Sequence, residues 1–376
     1  MNEQNKFIEL KIKEREERSI IMNLSETESL PKDGSLLMKW HQKDTVAGKK
    51  DKELNYATAM MPGYENVRNL SLEEAWGVFN YKNDGESGEQ VMANHIDKSS
   101  PTLLLPLQAG RCPFDCLGCT FAASFPANKD KKIQQIGMEE TRVLIKESLD
   151  EAQKKGIITS DIGISFVGSG DATPNPFLEE IFKMIMKEFP NVVRRVRFST
   201  VAGSPKGGYS TPMQVVEKII NNPEYTGQPQ ISMQVSAHHT NIKRVQHVFS
   251  QRIEKSASDP IAVAEKLQKL LLPLPEVAQQ FQQIVDAQKE RGFEPIRKPT
   301  LTFVCTKDTE IDVEALANYG FNKENTVIQL RPILSEDPKD CMSEEVFSSL
   351  YNKLGFAGYD VVLMPVSPSG VELETG

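Results

Sequence analysis

The sequence predicts an α/β protein, a partial (β/α)6 barrel over residues 99–376 preceded by an accessory region over residues 1–98. Three observations predict it. From about residue 100, short β-rich runs alternate with amphipathic helical stretches, whereas residues 1–98 mix charge runs with Gly, Pro and Asn and show no such alternation. Six strand-and-helix units follow one another, the pattern of a parallel sheet whose strands are joined by crossover helices. The 376 residues, 39% hydrophobic and 26% charged, suffice for one such barrel with an appended segment. A doubly wound open sheet is the competing architecture, because one sequence does not state strand order.

In the accessory region, Ser71 and Glu74 form a capping box for a short helix in SLEEAWGVFNY. TLLLPLQ is the first strand. A cysteine loop follows, then a helix through MEETRVLIKESLDEAQKKG, in which Ile145, Leu149 and Ala152 share a face and Gly156 suits the position just past the helix end. DIGISFV is the second strand, and GSGDATPN leads from it into a helix starting at Pro176, with Asn175 as N-cap and Pro190 as stop. VRRVRFST is the third strand and TPMQVVEKIINN its helix. In QISMQVSAH, Ile231, Met233 and Val235 alternate with Ser232, Gln234 and Ser236, the period of a half-buried strand. The helical stretch after it runs to about residue 292, longer than one crossover requires. LTFVCT, DVEALANYG, TVIQLRP and SEEVFSSLYNKLG complete the six units.

A net charge of −8 and a pI near 5.4 speak against affinity built mainly on nucleic-acid phosphates. There is no run of about 18 apolar residues, and the N-terminal MNEQNKFIELKIKEREERS is charged throughout. Neither a membrane span nor a secretory signal is read there, and a cytoplasmic protein is expected. Of five cysteines, three lie within eight residues, and Cys305 and Cys341 are far away. A secreted disulfide framework spreads an even set, so this clustering points to metal or cluster ligation in a reducing compartment.

The motif is Cys112-Pro-Phe-Asp-Cys116-Leu-Gly-Cys119, directly after the first strand, where barrel sites form. Thiolates at these spacings wrap three corners of a [4Fe–4S] cubane and leave its fourth iron open. S-adenosylmethionine chelates such an iron through its amine and carboxylate, which puts its sulfonium within reach of an electron. A zinc site with His95 or a later histidine as fourth ligand is the alternative; such sites usually bring a matched second Cys/His pair, and none occurs.

Gly168-Ser169-Gly170-Asp171 ends the second strand. Its glycines let backbone approach a ligand, and Asp171 offers a carboxylate to a ligand ammonium, although the same residues also make an ordinary turn. Ser199 and Thr200 end the third strand, and Ser236 and His238 the fourth, placed either to hold the carboxylate and ribose of a cofactor or to cap backbone groups. Arg194, Arg195 and Arg197 read as a solvated strand face or as contacts for an anionic substrate.

QAGRCPFDCLGC, VGSGDATPN, FSTVAG, VSAHHTN and LRPI, in that order, resemble the radical S-adenosylmethionine methyltransferases that modify adenine in ribosomal and transfer RNA. The corresponding segments of that family run approximately SSQxGCxxxCxFC, MGMGEPLxN, STSG, SLHAPN and LIPxN. The resemblance covers about residues 100–376. It implies a [4Fe–4S] cluster on Cys112, Cys116 and Cys119, with S-adenosylmethionine beside Gly168, Gly170, Asp171, Ser199, Ser236 and His238. Asp171 stands where the family has Glu, Ala172 where it has Pro, Gly118 where it has an aromatic residue, and Leu334 near a cofactor-contacting Asn. The family's methyl-carrying C-terminal cysteine corresponds to about Thr375, and its upstream cysteine to Leu105. A hydroxyl cannot accept a methyl group and release it by thiol exchange, so the methyl-carrier mechanism is expected to be absent.

The expected function is therefore a radical S-adenosylmethionine enzyme acting on a small-molecule or peptide substrate. It would use 5′-deoxyadenosyl radical chemistry or 3-amino-3-carboxypropyl transfer, with an external reductant such as flavodoxin or ferredoxin and no membrane partner. An RNA-modifying enzyme and a non-catalytic iron–sulfur or zinc protein are the alternatives.

Overall fold

The computed structural model describes residues 37–43, 54–63, 70–80, 97–109, 112, 114, 116, 117, 119, 134–157, 159–167, 170–207, 214, 216–218, 229–254, 259–333 and 338–363. The capping box at Ser71 is present: its side chain accepts from the Glu74 N–H at 3.3 Å, and its own N–H donates to the Glu74 carboxylate at 3.0 Å. Strands β1 (Leu37–Lys43) and β2 (Leu54–Gly63) precede that helix, α1 (Leu72–Phe79), and β3 (Asp97–Leu105) follows it. β1 pairs antiparallel with β2, and β2 with β3, so strands from the first hundred residues extend the same sheet that carries the site.

Next come the short antiparallel pair β4 (Gln108–Ala109) and β5 (Gln134–Gln135), helix α2 (Met138–Lys154), β6 (Ile162–Phe166), α3 (Leu178–Glu188), β7 (Val193–Thr200) and β8 (Gln230–Ser236). The predicted face of α2 holds: Ile145 and Ala152 are buried, Leu149 packs against the core, and Gly156 takes φ +70° just past the end. The single helical stretch expected after β8 is four helices, α4 (Lys243–Val248), α5 (Ser250–Glu254), α6 (Pro260–Gln268) and α7 (Leu274–Glu290). Asp259, accepting from the Ile261 N–H at 2.9 Å, starts α6, and Pro273 precedes α7. The chain then runs through β9 (Thr300–Cys305), α8 (Val313–Tyr319), β10 (Val327–Pro332), α9 (Glu344–Phe356) and β11 (Asp360–Leu363).

From β3 the sheet order is β3-β6-β7-β8-β9-β10-β11, every neighbouring pair parallel. Strand order thus follows chain order without the reversal that a doubly wound sheet requires. The result is the expected partial α/β barrel, curled from seven parallel strands among the described residues. The seventh, DVVL, is four residues long, too short to show a period in the sequence.

The two faces of this sheet differ sharply. On the outer face Phe166, Val196, Phe198, Met233, Val235 and Phe303 pack against the helices, with Phe198 and Phe182 of α3 at 6.4 Å between ring centres. The inner face is polar, and the strand register puts Ser165 beside Arg197, and Ser236, Thr302 and Gln329 in one row. The Thr302 hydroxyl donates to Gln329 Oε1 at 2.8 Å, and Gln234 Nε2 donates to the same oxygen at 3.1 Å.

α1 closes one end of the molecule. Phe347 of α9 lies 4.4 Å from Phe79 and 5.4 Å from Trp76, and Tyr351 donates to the Leu70 carbonyl at 3.0 Å. Phe347→Ala is expected to cost about 3–5 kcal/mol in urea unfolding and to shift Trp76 fluorescence, because it empties the contact that fastens α1 to the barrel.

Candidate active site at the barrel mouth

Each predicted site residue with described coordinates stands at the C-terminal end of the parallel strands; Gly168 lies outside the described residues. The cysteine loop begins just past β4. Cys112, Cys116 and Cys119 are half-buried, and the Cys119 N–H donates to the Cys116 carbonyl at 3.3 Å. The loop rests on a second apolar cluster formed by Phe114, Val245, Val248, Phe249 and Leu271, against which Cys112 and Cys116 pack. Phe114 and Phe249 lie 5.8 Å apart, and the Leu117 N–H donates to the His247 carbonyl at 2.9 Å. The helices α4 to α6, longer than a crossover needs, are thus the shelf under the cysteine loop.

Burial pushes the Cys112 thiol well above its ordinary range, and Cys119 adds to the effect; hydrogen bonds from the Phe114 and Asp171 backbone act the other way. A half-buried sulfur that accepts hydrogen bonds from the backbone suits a thiolate whose charge is shared with iron. Among the described residues, no three His, Cys, Asp or Glu side chains converge on a single ion. A cubane does not ask for that convergence, since its three thiolates bind separate irons. The residues present therefore fit a cluster.

Asp171 is fully engaged within the chain. One carboxylate oxygen accepts from the Thr173 N–H at 2.9 Å and the Thr173 hydroxyl at 2.6 Å; the other accepts from the Thr200 hydroxyl at 2.7 Å and the Val201 N–H at 2.8 Å. These four bonds lower its pKa, but burial outweighs them and lifts the carboxyl above the usual range. Its role here is to join the end of β6 to the end of β7. Asn175, expected as an N-cap, instead bridges the base of the loop: its Nδ2 donates to the Leu107 and Ile136 carbonyls at 2.6 and 2.9 Å, while its Oδ1 accepts from the Phe177 N–H at 2.8 Å. The helix starts at Leu178, two residues later than the sequence suggests.

Around this frame lie buried polar atoms with no partner: both amide atoms of Gln108, the Ser199 hydroxyl, and both ring nitrogens of His238. Orphans of this kind mark a place for a polar ligand. Gly170, at φ +122°, sits so close to Gln108 that an added Cβ would lie 1.4 Å from the amide nitrogen. His238 takes φ +64° and Ala202 φ +58°, the two non-glycine residues in the left-handed region among those described, each two residues past the end of its strand. His238 stacks on His247 at 4.0 Å with rings 10° from parallel, and His239 meets His247 edge-on at 5.6 Å. Burial, then His247, His239, Arg244 and Arg331, hold His238 far below the usual histidine range. Ser236 stands on the inner face at the end of β8, level with Thr302.

Two arginines escaped the sequence reading. Arg244 donates to the Leu272 and Val201 carbonyls at 2.6 and 2.9 Å and so clamps α4 to the end of β7; burial lowers its pKa to about 10. Arg331, at the end of β10, stands beside Cys119, whose charge favours the cation while burial opposes it. In the sequence Arg244 is one position of a long helical stretch and Arg331 the end of a strand, and their partners, far away along the chain, appear only in the fold. Cys305 is buried in β9 with its thiol pushed up to about 12, whereas Cys341 is half-buried and pairs through its backbone with Thr306 just past β9. Leu334 and Thr375 lie outside the described residues.

Fold and site together define a partial α/β barrel with a three-cysteine loop at its mouth. No family model matches the sequence, and no curated protein matches it. Among solved structures, the chain shares its fold with a radical SAM methyltransferase from Sphaerobacter thermophilus, at TM-score 0.52 and 15% identity over 92% of this chain and 76% of that one. Streptococcus suis SuiB, solved with S-adenosylmethionine, is similar at TM-score 0.40 and 10% identity over 76% of this chain and 55% of its own. The FeFe-hydrogenase maturase HydG from Carboxydothermus hydrogenoformans is similar at TM-score 0.35 and 15% identity, over 78% and 67% of the two chains. No helix among the described residues is long and apolar enough to cross a membrane.

Gly170→Ala is expected to cost more than about 1 kcal/mol in thermal unfolding, because φ +122° is strained for alanine and the Cβ displaces Gln108. A pH effect follows from His239, held at about 4 by burial and Lys243, against Glu310 and Asp308, which raise it. Its Nδ1 accepts from the Glu310 N–H at 3.1 Å. Between about pH 4 and the unfolded value of about 6.5, the unfolded chain binds a proton that the folded chain does not. Stability is full above that window and is lost as pH falls through it. The urea midpoint of cluster-free protein should fall from pH 7 to 4.5. His239→Asn, which keeps an acceptor for Glu310, should make that slope shallower without abolishing it, because His247, also held at about 4, and His238 act in the same direction.

Proposed function

We propose that this chain is a radical S-adenosylmethionine enzyme that modifies a small-molecule or peptide substrate by hydrogen abstraction. The observation that carries this reading is the C-x3-C-x2-C loop at the mouth of a half-barrel, facing buried and unpartnered Gln108, Ser199 and His238. A [4Fe–4S] cluster held there would supply the one electron that cleaves S-adenosylmethionine to methionine and a 5′-deoxyadenosyl radical. The thiolates of Cys112, Cys116 and Cys119 would hold the cluster, and the shelf under the loop supports Cys112 and Cys116. Gln108 offers both a donor and an acceptor to the bound cofactor, and Gly170 leaves room for the Gln108 amide. Ser199, Ser236 and His238 offer hydroxyls and an imidazole from the next two strands. The electron comes from an external carrier such as flavodoxin or ferredoxin.

Methyl transfer through a carrier thiol is not supported by the residues present. Leu105, where the resembling family has its upstream cysteine, is fully buried in the main core and level with Phe166 on the outer face of the sheet. The acidic net charge of −8 favours a small substrate over RNA.

Anaerobically reconstituted and reduced protein should convert S-adenosylmethionine to 5′-deoxyadenosine. Replacing any one of the three cysteines by Ala should lower that turnover at least about 100-fold, with unchanged far-UV circular dichroism. Accumulation of 5′-methylthioadenosine would instead assign aminocarboxypropyl transfer, and S-adenosylhomocysteine would assign methyl transfer. A fully loaded cluster that cleaves nothing sinks the enzyme reading.

A further inference from the structure

We propose that the inside of the half-barrel binds a small molecule carrying a carboxylate or phosphate, held by Arg197 with Arg195 beside it and Ser199 on the side of the mouth. This rests on the reading above and names the substrate class of the same site. Arg197 lies on the inner face of β7, level with Ser165 of β6 and Ser232 of β8. Its Nε donates to the Ser165 hydroxyl at 3.2 Å, a neutral partner, and among the described residues no carboxylate acts on it. Its charged neighbour is another cation, Arg195, two residues away on the same face.

Arg197 is half-buried on that face, and a partly desolvated guanidinium whose one hydrogen-bond partner is a neutral hydroxyl gains from a counter-charge. Burial, then Arg195, bring the Arg197 pKa down to about 10, so it remains cationic at neutral pH. An entering anion supplies the missing charge, and the planar fork of Arg197 matches a carboxylate or phosphate.

Position gives the length of the ligand. Ser199, whose buried hydroxyl has no partner, is two residues nearer the mouth on the same face. At about 3.3 Å per residue, Arg197 therefore lies about 7 Å below it. Thr200, next to Ser199, is bonded to Asp171, whose backbone in turn hydrogen-bonds Cys112. A molecule with its anionic group on Arg197 thus presents a carbon roughly 7 Å away to the cluster end of the barrel.

The test uses the full chain, with inorganic phosphate and succinate as probes. In anion-free buffer, Arg197→Gln should melt at or above the native temperature, because it removes an uncompensated charge. Tens of millimolar phosphate or succinate should raise the native melting temperature by several degrees, Arg197→Lys by less, and Arg197→Gln not at all. S-adenosylmethionine affinity, by equilibrium dialysis on cluster-loaded protein, should be the same in native and Arg197→Gln protein. A tenfold loss there would overturn the proposal by assigning the anion site to the cofactor's own carboxylate. An Arg197→Gln protein that melts far below native would overturn it by making Arg197 structural. Native protein that cleaves S-adenosylmethionine but shows no anion shift defeats this inference alone, while an anion shift without any cleavage supports the anion site and defeats the enzyme reading alone.

Discussion

The arrangement of the mouth depends on the Asp171 carboxylate. It takes two hydrogen bonds from Thr173 in its own loop and two from Thr200 and Val201 at the end of the next strand. A carboxylate buried this deeply is tolerable only when its lone pairs are satisfied, and here four donors do so. The loop after β6 is therefore locked to the end of β7, and the Asp171 backbone then reaches the sulfur of Cys112. Sheet geometry is passed to the cysteine loop through one residue.

A second constraint acts from the opposite side. Cys112 and Cys116 pack on an apolar cluster drawn mostly from α4 to α6, and Arg244 ties that segment back to Val201. The end of β7 is consequently gripped twice, by Asp171 and by Arg244, through the neighbouring groups of a single residue, Val201. Double anchoring of this kind sustains the left-handed backbone of Ala202 immediately afterwards, strain that a looser turn would release.

What the sequence disclosed and what it withheld divide along the range of the interactions. The cysteine spacing is local, and its position after the first strand followed from counting. The capping box at Ser71 and the glycine ending α2 are likewise local and were legible. Asp171 was legible as a carboxylate at a strand end, but its partners Thr200 and Val201 lie about thirty residues away, and no pattern near Asp171 announces them. Asn175 carried the right signal for a helix start, yet tertiary contacts to Leu107 and Ile136 took its amide. In VRRVRFST the three arginines read as one group, whereas the strand puts Arg195, Arg197 and Ser199 on one face and leaves Arg194 exposed. Whether that face meets water or the inside of a barrel depends on how the sheet curls, which is settled by all of its strands together.

The polar inner face has an energetic consequence for the whole domain. Buried groups without a partner in the chain at Gln108, Ser199 and His238 each cost on the order of 1–3 kcal/mol until a ligand or water meets them. That cost is offset by the outer face, where Phe166, Phe198 and Phe303 of the strands, with Phe182 of α3 and Phe281 of α7, are buried to within a few per cent. Stability and chemistry thus reside on opposite faces of the same strands. A substitution on the outer face changes the barrel's stability first, whereas one on the inner face alters what the mouth can hold. Ligands that pair the orphaned groups stabilise the fold by linkage, so the loaded protein is the form in which the polar interior ceases to be a burden.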